Sequence, residues 1–259
     1  MALIGDAVFV TGAGQGVGRA VAIALAARGA RQATLVDRKQ SSLDCTAEQL
    51  QAAGCKVHTV SADLTNVAEC TRAVSEAQDA FGTIDIICNC AGNTERGTIL
   101  DTSPELFDRI FATNVRSTFF ILQFALPGMI AQKSGVVINI SSMLAYGGVP
   151  YLTAYSASKA ALNTLTKNVA NAMKCHHIRV HAINLGWTVT PAEDLVQRTF
   201  HHLPENWAEI EGAKQPFGRL LKAEDSAMLC AFLASEDAVM MTGTVIDLEQ
   251  YINGTTDIR

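Results

Sequence analysis

Seven short apolar runs recur along the chain with helical stretches between them, at 6–11, 33–36, 57–60, 84–88, 136–140, 179–184 and 244–248. Strands that alternate with helices cannot pair through tight hairpins; each must cross over a helix to its neighbour, which builds a parallel sheet with helices on both faces. Val136-Val137-Ile138-Asn139-Ile140 is nearly continuous in apolar character, the pattern of a central strand buried on both sides. No linker, repeat or low-complexity segment divides the 259 residues, so residues 1–259 are expected to form one α/β domain around a seven-stranded parallel sheet.

The first run passes directly into Gly12-Ala13-Gly14-Gln15-Gly16-Val17-Gly18 and then a helical pattern through Leu25. Strand, glycine-rich turn and helix in that order let the backbone approach a ligand closely and present free N–H groups to an anion such as a pyrophosphate. The second strand ends in Asp37, about 20 residues further on, where a dinucleotide fold sets an acid against the adenosine ribose. A carboxylate there repels a 2′-phosphate and favours NAD over NADP, although Arg38 follows and can offset that repulsion. Taken alone, Asp37 is equally a helix or turn cap. Asp63, at the end of the third strand, is a candidate for the adenine, with Thr65 or Asn66 as the next helix cap.

Tyr155-Ser156-Ala157-Ser158-Lys159 opens a helix and sets Tyr155 and Lys159 four residues apart on one face. An ammonium near the phenol would favour its ionised form and suit it to proton transfer near neutral pH. No other tyrosine in the chain has a lysine at that spacing. Two further polar residues stand out. Asn114 lies amid Phe107, Ile110, Phe111, Val115, Phe119 and Phe120 in a long apolar segment from Leu106 to Gln132 that only Pro127-Gly128 interrupts; it is either a structural bridge or a site residue. Ser142 closes the fifth strand and is a candidate neighbour of Tyr155.

A net charge of −5, with no block of Lys and Arg, argues against a nucleic-acid surface. No apolar run reaches membrane-spanning length, and the first six residues lack a basic region and cleavage site. Seven scattered cysteines fit a reduced compartment, so a cytoplasmic location is expected. Cys88-Asn89-Cys90 and the histidine pairs at 176–177 and 201–202 lack the further ligands that a metal site needs. The segment from Trp187 to about Gln215, less regular and richer in bulky polar and aromatic residues, is expected to form a substrate lid.

Together these residues resemble the short-chain dehydrogenase/reductase family, over a match running from Ala7 to about Asp247. Thr11-Gly12-x-x-x-Gly16-x-Gly18 is similar to the family's cofactor loop, Asn89-x-Ala91-Gly92 to the turn after strand four, and Gly186 with Thr188 and Thr190 to the nicotinamide-side loop. Ser142 stands 13 residues before Tyr155, the family's usual spacing, which selects it over Ser141. The resemblance implies a Rossmann-type doubly wound fold and a catalytic tetrad of Asn114, Ser142, Tyr155 and Lys159. It also implies a cofactor site that includes Gln15, Val17, Asp37, Arg38, Asp63 and Leu64, with Tyr155 and Lys159 shared between the two.

In that mechanism Tyr155 exchanges the substrate proton, and Lys159 together with the positive charge of the oxidised nicotinamide lowers the tyrosine pKa. Lys159 also holds the nicotinamide ribose, Ser142 orients the reacting oxygen, and Asn114 holds a water that relays protons. The implied enzyme moves a hydride between NAD and a small alcohol or carbonyl compound. An NADPH-dependent carbonyl or 3-oxoacyl reductase is the alternative, and a non-catalytic dinucleotide sensor is the alternative of another class. Candidate substrate residues are Asn93, Thr94, Met143, Leu144, Tyr146, Trp187, Glu193, Phe200, His201 and Trp207. This mixture of aromatic and hydrogen-bonding groups suits a sugar or polyol, with Trp187 equally placed as lid packing or substrate platform.

Three positions depart from the family pattern: Cys90 replaces an Asn, Leu185 replaces a Pro, and Leu248-Glu249 stands where a glycine pair is common. Family members are commonly tetramers and use the C-terminal end at a subunit interface or over the substrate, so Glu249-Gln250-Tyr251 is a candidate partner contact.

Overall fold

The computed structural model describes residues 2–255. The chain lays down β1 (Ala7–Thr11), α1 (Gly16–Ala27), β2 (Gln32–Asp37), α2 (Gln40–Ala52), β3 (Lys56–Ser61), α3 (Val67–Phe81) and β4 (Ile86–Asn89). It continues through α4 (Pro104–Phe111), α5 (Ser117–Gln132), β5 (Gly135–Ser142), α6 (Thr153–Met173) and β6 (Ile178–Leu185). Next come β7 (Thr188–Val189), α7 (Pro191–Thr199), α8 (Trp207–Gly212), β8 (Leu221–Lys222), α9 (Ala223–Leu233) and β9 (Val245–Leu248).

Seven strands form one parallel sheet in the order β3-β2-β1-β4-β5-β6-β9, the doubly wound topology expected from the alternating pattern. The chain winds outward from β1 to β3 and then returns to place β4 against the other side of β1. Connections leave in opposite directions at that point and open a crevice at the C-terminal ends of the strands. β7 and β8 pair separately beside it.

Successive strand residues point to opposite faces, and each face has its own core. Val8 and Val10 pack with Val21, Leu25, Leu35 and Ala231 beneath α1, α2 and α9, while Phe9 packs with Val74, Ile87, Ile121 and Val137 beneath α3 and α5. Every residue of β1, β5 and β6 is buried, as in central parallel strands covered on both faces. Arg179 and His181 interrupt β6 in sequence but are accommodated. Arg179 donates to the carbonyls of Leu233, Ser235 and Ala238 at 2.6–3.1 Å, serving backbone groups at and just beyond the end of α9. His181 Nδ1 lies 2.7 Å from Thr244 Oγ1.

The caps follow the sequence signals. Asn66 accepts from the Ala68 N–H at the start of α3, and Ser103 accepts from the Leu106 N–H with Pro104 opening α4. The segment from Leu106 to Gln132 differs from expectation. Pro127 does not break it but lies inside α5, where its missing N–H leaves the Gln123 carbonyl without the usual helical donor. The irregularity falls earlier, in a π-helical turn at Ala112–Arg116 between α4 and α5. Such a turn inserts an extra residue into the helix and is frequent at functional sites; here it carries Asn114.

Candidate active site

The C-terminal ends of β1, β2, β4, β5 and β6 deliver Gly12, Asp37, Asn89, Ser142 and Gly186 to one rim of the sheet. The glycine loop is shaped by close approach. Gly12 has φ +64°, and a Cβ there would lie 2.9 Å from the Ala91 nitrogen in the turn after β4. Thr11 Oγ1 ties the same two turns together by accepting the N–H groups of Cys90 (3.0 Å) and Ala91 (3.1 Å). A Cβ on Gly16, also at positive φ, would meet Thr190 at 3.3 Å, so the loop faces the segment after β6.

The first turn of α1 carries neither an acidic residue nor a side-chain cap. Its N–H groups keep their positive partial charge for an anion, and the cradle fits a dinucleotide pyrophosphate. Arg19 braces the loop from behind, donating to the Gly14 carbonyl and to Thr46 Oγ1, and Thr46 in turn donates to the Ala13 carbonyl. Asp37 is half-buried at the loop's edge: one carboxylate oxygen accepts the Gly14 N–H at 3.0 Å and the other accepts the Arg38 N–H at 2.7 Å. Arg38 and Lys39 are exposed beside it. Asp63 spends Oδ1 on the N–H and hydroxyl of Thr65, and Leu64 is buried in the core.

On α6, Tyr155, Ser158 and Lys159 turn inward and are buried. Lys159 is 3% exposed; its Nζ donates to the Ile140 carbonyl on β5 at 2.7 Å and lies 5.7 Å from the centre of the Tyr155 ring. Burial pushes the ammonium down to about 8. The expected lowering of the Tyr155 pKa, by Lys159 together with oxidised nicotinamide, concerns the cofactor-bound enzyme; in the protein alone the direction is the opposite. Burial raises the phenol above its ordinary value, the Ser142 hydroxyl beside it favours the charged form, Glu193 raises it and Arg96 lowers it. Burial is the largest of these influences.

Asn114 is 1% exposed and its amide is engaged at both ends. Nδ2 donates to Ser158 Oγ (2.9 Å) and the Asn93 carbonyl (3.0 Å), and Oδ1 accepts the Asn93 N–H at 2.7 Å. The π-turn is thereby fastened both to α6 and to the turn after β4. Asn114 Oδ1 and Lys159 Nζ also flank Gly92, where a built Cβ would lie 3.7 Å and 3.8 Å from them. Below, Asn89 donates to Asn139 and Asn139 to Thr166 Oγ1, linking β4, β5 and α6 in the interior.

The proposed substrate residues divide. Met143 and Leu144 form a half-buried turn after Ser142, whose Oγ accepts the Leu144 N–H. Asn93 spends its side chain on Glu95, and Tyr146 donates its hydroxyl to Asp247 at 3.0 Å. Trp207 is fully buried beneath Trp187, with ring centres 5.5 Å apart, so it anchors the 187–215 segment rather than facing a substrate. Trp187 Nε1 donates to Glu193, and Tyr151 packs against His201. Thr188 donates to the Gly186 carbonyl, while Thr190 caps α7 by accepting the Glu193 N–H. Phe200 is exposed. Glu249 lies against Gly186, and Gln250 bonds to Phe217 and Arg219, so within the chain the tail covers the end of β6.

Arg19, Arg96 and Ser158 were not among the residues expected from sequence. Ser158 had a signal, lying three residues after Tyr155 and so on the same helix face. Arg19 and Arg96 had none, since a lone arginine is ordinarily a solvated one.

The sequence model described as short chain dehydrogenase matches residues 6–199. The chain is 34% identical to a sorbitol dehydrogenase of Cereibacter sphaeroides over 92% of its length and 93% of that protein's. It is 30% identical to a 3-oxoacyl-acyl-carrier-protein reductase of Thermotoga maritima, over 96% of this chain and 98% of the other. Its fold superposes with a TM-score of 0.92 and 26% identity on L-sorbose reductase from Gluconobacter frateurii complexed with NADPH and L-sorbose, covering 98% of this chain and 99% of that one.

Proposed function

The chain belongs to the short-chain dehydrogenase family and is a nicotinamide-dependent oxidoreductase acting on a hydroxyl or carbonyl group; we propose that it prefers NAD and that its substrate is a sugar or polyol. The observation that carries the reading is Asp37 at the edge of the glycine loop, its carboxylate fixed by the Gly14 and Arg38 N–H groups where an adenosine ribose would lie. The sorbitol dehydrogenase and L-sorbose reductase relatives support the substrate class.

Bound nicotinamide supplies the hydride acceptor or donor. The α1 N-terminus and glycine loop would hold its pyrophosphate, Asp37 the ribose, and Lys159 with the Gly186–Thr190 segment the nicotinamide end. Tyr155 Oη takes the substrate hydroxyl proton during oxidation and returns it during reduction. Ser142 Oγ orients the reacting oxygen. Burial favours the neutral form of Lys159, and Asn114 Oδ1, on the other flank of Gly92, would hold a relaying water beside it. The 187–215 segment, braced by Trp207, closes the substrate side as a lid. A proton path through these residues would have no use in a non-catalytic sensor. Exposed Arg38 and Lys39 beside Asp37 favour the second reading, an NADPH-dependent carbonyl or 3-oxoacyl reductase. Among the described residues no helix is long and apolar enough to cross a membrane and no His, Cys, Asp and Glu cluster could hold a metal ion. A homotetramer is the proposed assembly.

The test is NADH formation from NAD with hexitols, pentitols, aldoses and cyclohexanol, with NADP in parallel. NAD-linked turnover of polyhydroxylated compounds is expected. In Tyr155→Phe, NADH binding should persist while kcat drops by about 10²–10⁴-fold; near-normal kcat would remove Tyr155 from the chemistry.

A further inference from the structure

Arg96 leaves the turn after β4 and folds inward, so that its side chain is 8% exposed. Nη1 donates to the Thr94 carbonyl at 2.6 Å, Nε is buried without a partner, and Nη2 faces Glu193 Oε2 at 3.6 Å. Glu193, in the first turn of α7, is held from its other side. Its Oε1 accepts from Trp187 Nε1 at 2.9 Å and from Gln197 Nε2 at 2.7 Å.

A buried guanidinium and carboxylate free to approach each other close to about 2.7–2.9 Å, because only contact offsets their desolvation. These two do not close. Trp187 and Gln197 anchor the carboxylate to the lid, and the Thr94 carbonyl anchors the guanidinium to the body. The result is a row of donors beside an acceptor, each short of partners. Gly97, next to Arg96, donates its N–H to the Tyr151 carbonyl just ahead of α6, and Glu193 follows the Gly186–Thr190 segment. The pair therefore sits between the start of the Tyr155 helix and the loop after β6; both charges also act on the Tyr155 phenol, with opposite sign.

The chemistry of the row selects among ligands. A hydroxyl both accepts and donates, so two neighbouring hydroxyls can take a hydrogen bond from Arg96 and give one to Glu193. A carboxylate would meet the repulsion of Glu193, an ammonium that of Arg96, and a hydrocarbon would leave both charges unpaired. Resting on the polyol reading above, we propose that Arg96 and Glu193 form a donor–acceptor clamp that reads a vicinal diol next to the carbon whose hydroxyl Tyr155 deprotonates. The two residues determine specificity rather than perform the proton transfer.

The test compares kcat/KM for a hexitol with kcat/KM for cyclohexanol in the full-length enzyme and in Glu193→Gln and Arg96→Met, with a 2-hydroxy acid as third substrate. Glu193→Gln is isosteric and can keep its bonds to Trp187 and Gln197, while NADH binding measured by fluorescence reports an intact fold. The hexitol-to-cyclohexanol ratio should fall about 10- to 100-fold in each variant, the loss of a hydrogen bond to a charged group. A fall shared equally by both alcohols would overturn the clamp and make the pair a lid fastening. An Arg96→Met loss confined to the hydroxy acid would overturn it in favour of a carboxylate site. If the unmodified enzyme binds NADH yet oxidises no polyol, the polyol reading itself fails and takes the clamp with it. Polyol turnover that both variants leave intact refutes the clamp alone.

Discussion

Replacing Lys159 by methionine separates what this residue costs the fold from what it contributes to turnover. Its folded-state pKa of about 8 lies below the ordinary 10.5, so the folded protein gives up the proton more readily than the unfolded chain. Below pH 8 both states are protonated, and holding the buried charge costs the 2.5-unit difference times 1.36, about 3 kcal/mol. As pH rises from 8 through 10.5 the folded state deprotonates first and that cost disappears. Methionine has a similar length and does not titrate; it also loses the bond to the Ile140 carbonyl, but by the same amount at every pH. Between pH 7 and pH 9.5 the wild type should therefore gain about 2 kcal/mol of unfolding free energy relative to Lys159→Met. Urea denaturation of both proteins at both pH values, without cofactor, measures this double difference. Turnover should be lost in the variant throughout. A stability gap that stays constant across the two pH values would refute the argument that Lys159 is held as a desolvated ammonium.

Asp37→Ser removes the carboxylate but keeps a short polar side chain, and the ratio of NAD to NADP affinity, measured by fluorescence titration, should shift toward NADP by about 10- to 100-fold. His181 is buried with its pKa pushed down to about 4, first by burial and then by Arg179. Its contribution is complete above pH 6.5 and is lost as pH falls toward 4, so from pH 7 to pH 5 the wild type should lose about 2 kcal/mol more than His181→Gln in the same denaturation assay. Trp207→Ala removes the buried anchor of the 187–215 segment and should cost about 3–5 kcal/mol. Because the cavity opens beneath Trp187, KM for substrate should rise while NADH affinity, read by fluorescence, changes little.

The alternation of apolar runs and helices determined the parallel sheet, and the turn residues determined where several helices begin. Asn66, Ser103 and Pro104 act locally, through the hydrogen bonds and fixed φ of adjacent residues, so their spacing alone predicts them. The placement of Tyr155, Lys159 and Ser142 was legible for a related reason. Tyr155 and Lys159 share one helix face whatever surrounds that helix, and Ser142 ends a strand that the periodicity already places.

What the sequence could not determine were the effects that depend on elements meeting in space. The Tyr155 phenol is raised chiefly by burial, and desolvation depends on everything packed around it. Asn114 became a fastening between two elements only once the helix widened into a π-turn and brought Ser158 and Asn93 within reach. Arg96 and Glu193 are 97 residues apart in a chain of 259, and nothing local to either marks it as buried. Backbone hydrogen bonds and side-chain periodicity act over a few residues, and one sequence suffices to read them. Burial and charge pairing act between distant segments, and only the folded chain decides which of them meet.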